Sequence, residues 1–495
     1  MGGGDPTDEL LAECARLAAE NATLVADNAR LVAENVELRA LVERLEARIA
    51  ELEHRQGRNS GNSSLPPSRD DAEARAAQTA KRQSRRTKSG RHQGKQPGDP
   101  GAHLARVTDP DRTVVHSPSE CRCCGAGLGD APVCGAESRQ VFDLPEKRAE
   151  VTEHVAERRR CDCGTETKAA FPSEATAPTC FGPAVRAAGL YLIVRHHIPI
   201  ARAAEILTDL LGVPVSTGFL ASLTAEAADG LGTFIDDLRH ALADEPVAGA
   251  DETSVRVAGV KWWFHVCCTA LLTFLGVHPN RGIAATDDLK VLPRFKGTLI
   301  HDRWAPYWHY SGMRHAICNS HLLRDLAAAA EIATQKAWAD AMASLLVDTK
   351  RRCDAARAAH LAELTARQRS KIRANYDNIV AVALAANPAP PEGRKRTRTE
   401  KIGYNLAVAF RGHPDEILRF VDDLTVSFDN NQSERDLRMA RLQTKISGSF
   451  RSQRGAKSFA TVRSYIETGR KHGANPFDIL LQLFQHDPWT IPRPT

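Results

Sequence analysis

The stretch "EPVAGADETSVRV", residues 245–257, decides how this chain is read. It opens on an apolar run, places an acid at Asp251, and then alternates polar with apolar residues. Alternation of period two marks a strand with one buried face. Downstream, "KWWFHVCCTALLTFLGVHP" (261–279) is rich in aromatic and β-branched residues and has no breaker, so it reads as one or two strands. A short helix is expected near "TDDLKVLPRF" (286–295), and "FKGTLIHDRWAPY" (295–307) reads as a short apolar strand ending at Asp302. Two strands of a small α/β sheet thus each deliver an Asp near a strand end, 302 − 251 = 51 residues apart.

Two carboxylates at neighbouring strand ends repel unless cations neutralise them. A pair of Mg²⁺ ions about 3.5–4 Å apart does so, and also clamps the attacking and leaving oxygens of a phosphodiester. Mg²⁺ takes oxygen ligands and shares them with phosphate and water. The chain has 61 acidic residues, so a chance pair is easily assembled. Context favours a site here, because an unpaired charge closing an apolar strand is expensive.

A third carboxylate from a helix would complete such a site. The stretch "DNNQSERDLRMARLQTKISGSFRS" (429–452) offers one. After a short strand or extended entry, "LTVSFDNN", a helix is expected from Asn431, with Glu434 three residues on. Locally this is close to a capping box, in which Glu434 merely satisfies backbone amides. Arg435, Arg438 and Arg441 recur every three residues and share one helical face, with Lys445 beyond. That face is either solvated or set against phosphates.

Between these segments, residues 320–423 are Ala-rich with helical periodicity, broken by the basic, Pro-containing loop "NPAPPEGRKRTRTEK" (387–401). They read as an all-helical insertion. Cys318 and His321, at its start, have ligand-like spacing but no partner pair, and a structural role is expected for them.

At the N-terminus Leu recurs at 10, 17, 24, 31, 38, 45 and 52. Cys14, Asn21, Asn28, Asn35, Val42 and Ile49 fall four residues after the first six. Leu at d with Val or Ile at a favours a two-stranded parallel coil, and Asn at a fixes register. A Gly-, Asn-, Ser- and Pro-rich linker follows from residue 57, then the basic run "KRQSRRTKSGRHQGK" (81–95), which contains Lys81, Arg82, Arg85 and Arg86 and no acid. It is either a disordered tether or a phosphate contact.

Cys121 and Cys124 precede "GAGL", and Cys161 and Cys163 precede "GTET". The alternating "RQVFDLPEKRAEVTEHVAERRR" (139–160) lies between them. Two Cys knuckles, each followed by Gly and joined by a hairpin, make a zinc ribbon with one tetrahedral Zn²⁺. The second pair has one intervening residue where two is common, and Cys123 is a rival ligand. "IARAAEILTDLLGVPVSTGFLASLTAEA" (200–227) reads as two helices about a "GVPVS" turn, the second capped by Ser216 or Thr217, which suits a helix-turn-helix. His196 and His197 are expected to be structural.

The bulk numbers set bounds on all this. At 495 residues the chain holds several domains; 42% apolar and 26% charged residues are ordinary for a soluble protein, and a net charge of +5 decides nothing. No apolar run reaches membrane-spanning length, and "MGGGDPTDELL" lacks a signal-peptide layout, so a cytosolic location is expected, which the resemblance below would make bacterial and nucleoid-associated. In that reducing compartment clustered Cys suit metal rather than disulfides.

Taken in order, "NSGNSSLPPSRD", "GKQPGDPGAH", "CRCCGAGL", "QVFDLPE", "VTEH", "HDRWAPY", "HAICNSHLLRDL", "DNNQSERDLR" and "ANPFDILL" resemble the insertion-sequence-66 family of bacterial DDE transposases over nearly the whole chain. The resemblance implies a multidomain α/β protein with an RNase-H-like catalytic core. That core would span 240–319 and 424–475, interrupted by a helical insertion over 320–423. Before it would come a leucine-zipper coil (8–56), a flexible basic linker (57–106), a zinc-ribbon-like module (107–172) and a helix-turn-helix-like region (180–232). A C-terminal helix and tail (476–495) would follow. It implies Asp251, Asp302 and Glu434 as the ligands of two Mg²⁺ (or Mn²⁺) ions, with Asn430, Asn431 and Arg435 around the glutamate. The activity implied is cleavage at element ends and strand transfer into target DNA. The implied partners are DNA and a second copy of the chain through the zipper, with element-encoded accessory proteins as further candidates and no membrane. An RNase-H-fold nuclease or resolvase, or an inactive DNA-binding remnant, are the rival readings.

Overall fold

The computed structural model describes residues 6–56, 58–59, 61–62, 70–76, 106–143, 149–172, 174–390, 392, 395–396 and 398–492. Contacts divide the chain into two compact units, residues 80–223 and residues 1–79 with 224–495. The basic run with Lys81, Arg82, Arg85 and Arg86 lies outside the described residues.

The first helix, α1 (Pro6–Gln56), is 51 residues long, roughly 75 Å at 1.5 Å per residue. Its stripe of Leu17, Leu24, Leu31, Leu38, Leu45 and Leu52, with Val42 and Ile49, is exposed throughout. An apolar seam of this width and spacing has the form of a coiled-coil face.

In residues 80–223, the described part of the alternating stretch 139–160 forms strand only at its end: β1 (Arg158–Arg160) pairs antiparallel with β2 (Glu166–Lys168) around the second Cys pair, and an antiparallel bridge joins Glu120 to Gly127 around the first. Every residue of both strands is exposed, so alternation here has no core face to select a register. Three helices follow: α2 (Pro183–Leu190), continued by a π turn at Tyr191–Arg195; α3 (Ile200–Leu211); and α4 (Thr217–Asp229). Gly212, at φ 66°, ends α3, and the Ser216 hydroxyl caps α4 by accepting from the Phe219 amide at 3.1 Å. Gly189 lets α2 cross close to α4: a Cβ there would stand 2.7 Å from Leu220 and 2.8 Å from Leu223.

The other unit continues with α5 (Gly232–Ala243) and a five-stranded sheet. The strands are β3 (Val247–Val257), β4 (Val260–Cys268), β5 (Thr273–His278), β6 (Thr298–His301) and β7 (Arg314–Ile317), in the spatial order β5-β4-β3-β6-β7. The first three form an antiparallel meander, while β6 and β7 run parallel to β3. Ala258 (φ 48°) and Gly259 (φ 80°) both take the left-handed conformation that a tight β3–β4 turn needs. Short helix α6 (Ile283–Asp288) joins β5 to β6, and a 3₁₀ turn (Ala305–His309) joins β6 to β7.

Five helices then leave the sheet: α7 (Asn319–Ala330), α8 (Lys336–Ala358), α9 (Ala366–Ala385), α10 (Arg398–Gly412) and α11 (Pro414–Asp422). They bury a core of Leu322, Trp338, Met342, Tyr376, Phe410 and Phe420, continuous with Ile300 and Ile317 of the sheet. The chain returns through turns, not a strand, over 424–430, with Val426 and Phe428 buried. It ends in α12 (Asn431–Ser447), α13 (Gln453–Lys471) and α14 (Pro476–Phe484). Helix α13 covers the open edge of β5. The Ser464 and Thr468 hydroxyls accept from the amides of Leu275 (2.8 Å) and Thr273 (3.1 Å). An edge covered in this way cannot pair with another chain.

Candidate active site

Asp251 does not close its strand. It is the fifth of eleven residues in β3, because the strand runs on into the β4 hairpin. What ends near it is the parallel ladder: Val247, Ala248 and Gly249 pair with Thr298, Leu299 and Ile300 of β6. Continuing that register by two residues sets Asp251 level with Asp302, just past the end of β6. Asp302 accepts from the Trp304 amide at 2.9 Å, which fixes its carboxylate in the turn. Asp251 accepts from the Glu252 amide at 2.8 Å. Burial pushes the Asp251 carboxyl up to about 8, and the negative charges of Glu252, Asp302 and Glu434 add to the shift.

Glu434 reaches this place because α12 is seated on β3. Its N-cap is Asn430, and the third helical residue is Ser433, not Glu434. The Ser433 hydroxyl donates to Asn430 Oδ1 (2.6 Å), while Asn430 Nδ2 donates to the Ala250 carbonyl (2.7 Å). The Asn430 amide donates to Cys318 Sγ at 3.2 Å. Glu434 therefore caps nothing, contrary to the capping-box expectation. Its carboxylate faces Arg324 Nη2 at 3.4 Å and His321 Nε2 at 3.7 Å, both on α7. Gly249 makes the close approach possible: a Cβ there would lie 2.1 Å from Asn430 Oδ1 and 2.7 Å from Ser433 Oγ.

Asp251 senses the charges of Asp302 and Glu434, but the oxygens of the three acids do not converge on one point. Among the described residues no group of three or more His, Cys, Asp or Glu is set to hold a metal ion. Glu434 turns instead to Arg324 and His321. The donor set still fits a hard divalent cation. Asp251 is a carboxylate among three like charges, and its hydrogen bond comes from a backbone amide rather than a cation. Its neighbour Glu252 is already satisfied by Arg281 (Nε at 2.7 Å) and by the Tyr307 hydroxyl at 2.6 Å.

Arg435, Arg438, Arg441 and Lys445 are all exposed along α12. Arg435 donates to Gln432 (2.6 Å) and Arg441 to the Thr253 hydroxyl on β3 (2.5 Å), so the row is braced at the helix start and middle.

The four cysteines form two similar knuckles. The Gly125 amide donates to the Cys121 carbonyl (2.9 Å), and the Gly164 amide to the Cys161 carbonyl (2.8 Å). Both glycines are left-handed, at φ 69° and 89°. Hydrogen bonds from Thr165 and Cys161 draw the Cys163 thiol down to about 7, and backbone amides of Cys124 and Cys123 lower Cys121. Each half thus has the donor chemistry of a thiolate metal ligand. The one-residue spacing of the second pair still closes a proper turn.

Comparison with known families decides the assignment. Residues 178–458 match the family described as "Transposase IS66 family", which is more than half of the chain. The chain belongs to the IS66 transposase family. Residues 118–164, which contain Cys121, Cys124, Cys161 and Cys163, match the "zinc-finger binding domain of transposase IS66". Residues 6–105 match a family of unknown function. No curated protein matches the chain. As a member of a transposase family with its zinc-finger domain, the chain carries DNA-binding modules. Among the described residues no helix is long and apolar enough to cross a membrane.

Sequence reasoning missed several residues that the fold brings to the acids of this family member. His321, expected to be structural, faces Glu434, and the charges of Asp302 and Glu434 both act on it. Burial and the Arg324 charge nonetheless lower its pKa. Its position three residues before Arg324 on a helix was the available signal. Cys318 is structural as expected, since it receives the Asn430 amide. Arg281 and Tyr307, which hold Glu252, carry no local signal at all.

Proposed function

We propose that the chain is a DNA transposase that cleaves phosphodiesters at insertion-sequence ends, and that the freed 3′-hydroxyl then attacks a target phosphodiester in line, joining the element end to the target phosphate and releasing a target 3′-hydroxyl, with Asp251, Asp302 and Glu434 as its catalytic acids. The observation that carries this reading is the convergence of topology and charge. An antiparallel meander is followed by parallel strands, which is the order of an RNase-H-like core. The acids come from its first strand, from just past its fourth, and from the first turn of the helix seated on the first. Two Mg²⁺ (or Mn²⁺) ions held by these carboxylates would polarise the scissile phosphate and activate the attacking oxygen in line. The chain's own part is to hold the acids at fixed places and to bind the DNA backbone. Arg435, Arg438, Arg441 and Lys445 line a helix that starts at the acids, so phosphates of the bound duplex lie along it.

Other modules take supporting roles in this reading. Cys121, Cys124, Cys161 and Cys163 would hold one structural Zn²⁺ and so join the two knuckles into a ribbon. That ribbon, the basic run with Lys81, Arg82, Arg85 and Arg86, and the α3–α4 pair read the element ends. The exposed Leu seam of α1 pairs two copies so that two ends are held together. The protein works in the bacterial cytoplasm, where its DNA is.

Purified protein with end-containing DNA and Mg²⁺ tests the proposal. Wild type is expected to give nicked ends and joined products, and Asp251→Asn to bind ends but give neither. Nicks without any joined product would make it a nuclease or resolvase. Equal inactivity of wild type and variant, with both binding DNA, would make it a binding remnant.

A further inference from the structure

Asp251 and α12 occupy one face of β3; the opposite face carries a different surface. Cross-strand partners share a face, as do alternate residues along a strand. Ser254 pairs with Trp263 and Arg256 with Lys261, so these four lie with Glu252 on the side away from α12. Lys261 Nζ sits 4.5 Å above the Trp263 ring. Arg281, from the β5–α6 loop, lies 4.9 Å from the same ring and 4.2 Å from the ring of Trp304. The Trp304 amide is the group that holds Asp302. Cations and indoles thus alternate from the hairpin tip to an acid: Lys261, Trp263, Arg281, Trp304, Asp302.

One cation over one aromatic ring is ordinary, since such pairs occur about once per 70–80 residues. Here three of the seven found among the described residues form one ladder, drawn from three separate segments. Both indoles are only half-buried, although the fold has apolar cores elsewhere that could take them. Arg256 and Arg451 are exposed at the outer end of the ladder, where the Phe450 amide donates to the Arg256 carbonyl at 3.0 Å. The ladder leads to the acids from the side that α12 does not cover.

We propose that the Lys261–Trp263–Arg281–Trp304 ladder binds an unpaired DNA strand, stacking its bases on the two indoles while Lys261 meets its phosphates and Arg281, paired with Glu252, holds the two rings in place, and feeds it toward Asp302. This rests on the reading of the acids as a DNA-processing centre. Alternating aromatic faces and cations suit single strands, because every base offers a π-face while a duplex hides its bases. The α12 row, which has cations and no aromatic ring, suits the duplex backbone. The two faces of β3 thus serve two states of the same substrate: paired DNA along α12 and an unstacked strand along the ladder.

The test compares full-length protein on a blunt duplex, on the same duplex with a single-stranded extension of about six nucleotides, and on that extension made abasic. The quantity read is the ratio of extended to blunt affinity. Wild type is expected to gain at least about fivefold from the extension, the worth of one base–aromatic stack. Trp263→Ala is expected to bring the ratio near one, Trp263→Phe to keep most of it, and Lys261→Gln to lower it. The abasic extension should give no gain. Blunt-duplex binding without any gain from the extension would overturn the ladder and leave the transposase reading standing. A gain that survives Trp263→Ala, or persists with the abasic extension, would also overturn it. Absence of binding to any of the three DNAs would sink both readings.

Discussion

Replacing Gly249 by Ala tests whether seating α12 on β3 positions Glu434. The added methyl would meet Asn430 Oδ1 at 2.1 Å and Ser433 Oγ at 2.7 Å. Both atoms are buried, and the Asn430 amide group already bonds the Ala250 carbonyl, so neither can retreat without breaking a bond. Overpacking of this kind costs about 1–3 kcal/mol. Displacing Asn430 strands buried polar groups for about another 1–3 kcal/mol. Relief of glycine's backbone entropy returns about 0.5–1 kcal/mol. The net expectation is a loss of about 1–5.5 kcal/mol. All six tryptophans lie between residues 262 and 489, so fluorescence-detected urea unfolding of the full chain reports on the unit that contains this contact. Asn430→Ala in the Gly249→Ala background should cost at least about 1 kcal/mol less than in wild type, because the clash leaves with the side chain. End nicking should fall together with stability, since Glu434 moves with its helix. A Gly249→Ala protein that unfolds at the wild-type urea concentration and nicks normally would refute the seating of α12 on Gly249.

Burial pushes His265 down to about 4, with the charges of His278 and Arg281 adding to the shift against its bond to the Asn280 carbonyl. Its stabilising effect is therefore complete above about pH 6.5 and fades as pH falls toward about 4; between pH 7.5 and 5 wild type should lose about 2 kcal/mol that His265→Phe does not, in parallel urea titrations. Lys471 and Asp436 form a buried pair at 3.0 Å, and Lys471 also donates to the carbonyls of Thr269 and Leu272. Lys471→Met should cost about 3–5 kcal/mol in unfolding free energy, because it leaves Asp436 buried without its cation, whereas a loss under about 1 kcal/mol would mean the pair is solvated. Deleting residues 1–56 should give monomers in light scattering, and an unchanged dimer would remove the exposed Leu seam from the assembly.

The strands were legible because their patterns answer to burial on a sheet. Alternation over 251–257 and the unbroken aromatic run after 261 became β3, β4 and β5. Residues 139–160 alternate just as well, yet among those described strand forms only at Arg158–Arg160, where every residue is exposed. Pattern alone cannot tell a strand with a core face from one without. Asp302 was readable as the residue after a short apolar strand. Asp251 was placed at a strand end, but its environment is set by β6 stopping alongside it, which depends on pairing between segments some 50 residues apart. The local pattern around Glu434 left a capping role open beside that of a third acid; the helix starts at Asn431 as expected, but its N-cap is Asn430, and the polar group at N3 is Ser433. Arg281 acts across the fold with nothing in its local sequence to report it, and the only trace of His321's role is its spacing from Arg324.

The long helical excursion poses the remaining question: whether Glu434, more than a hundred residues after Asp302, is held by the sheet or by the helices between. The contacts favour the sheet. The excursion leaves and returns at one point, since the Asn319 amide donates to the Phe428 carbonyl (3.0 Å) and the Asn430 amide to Cys318 Sγ (3.2 Å). Arg357, from α8, clamps the returning turns through the carbonyls of Leu424 (2.7 Å) and Val426 (2.8 Å). Asn319 Nδ2 donates to the Ile417 carbonyl (3.1 Å), tying the last helix of the excursion to the start of its first. With its two ends stapled, the helical layer is a closed loop hung on the sheet, and changes at its far tip reach Glu434 only by breaking those bonds. Its near side is different: Arg324 and His321, one turn into α7, touch the Glu434 carboxylate itself. The helices therefore act on the third acid through its side chain, while β3 and Gly249 set where its backbone stands.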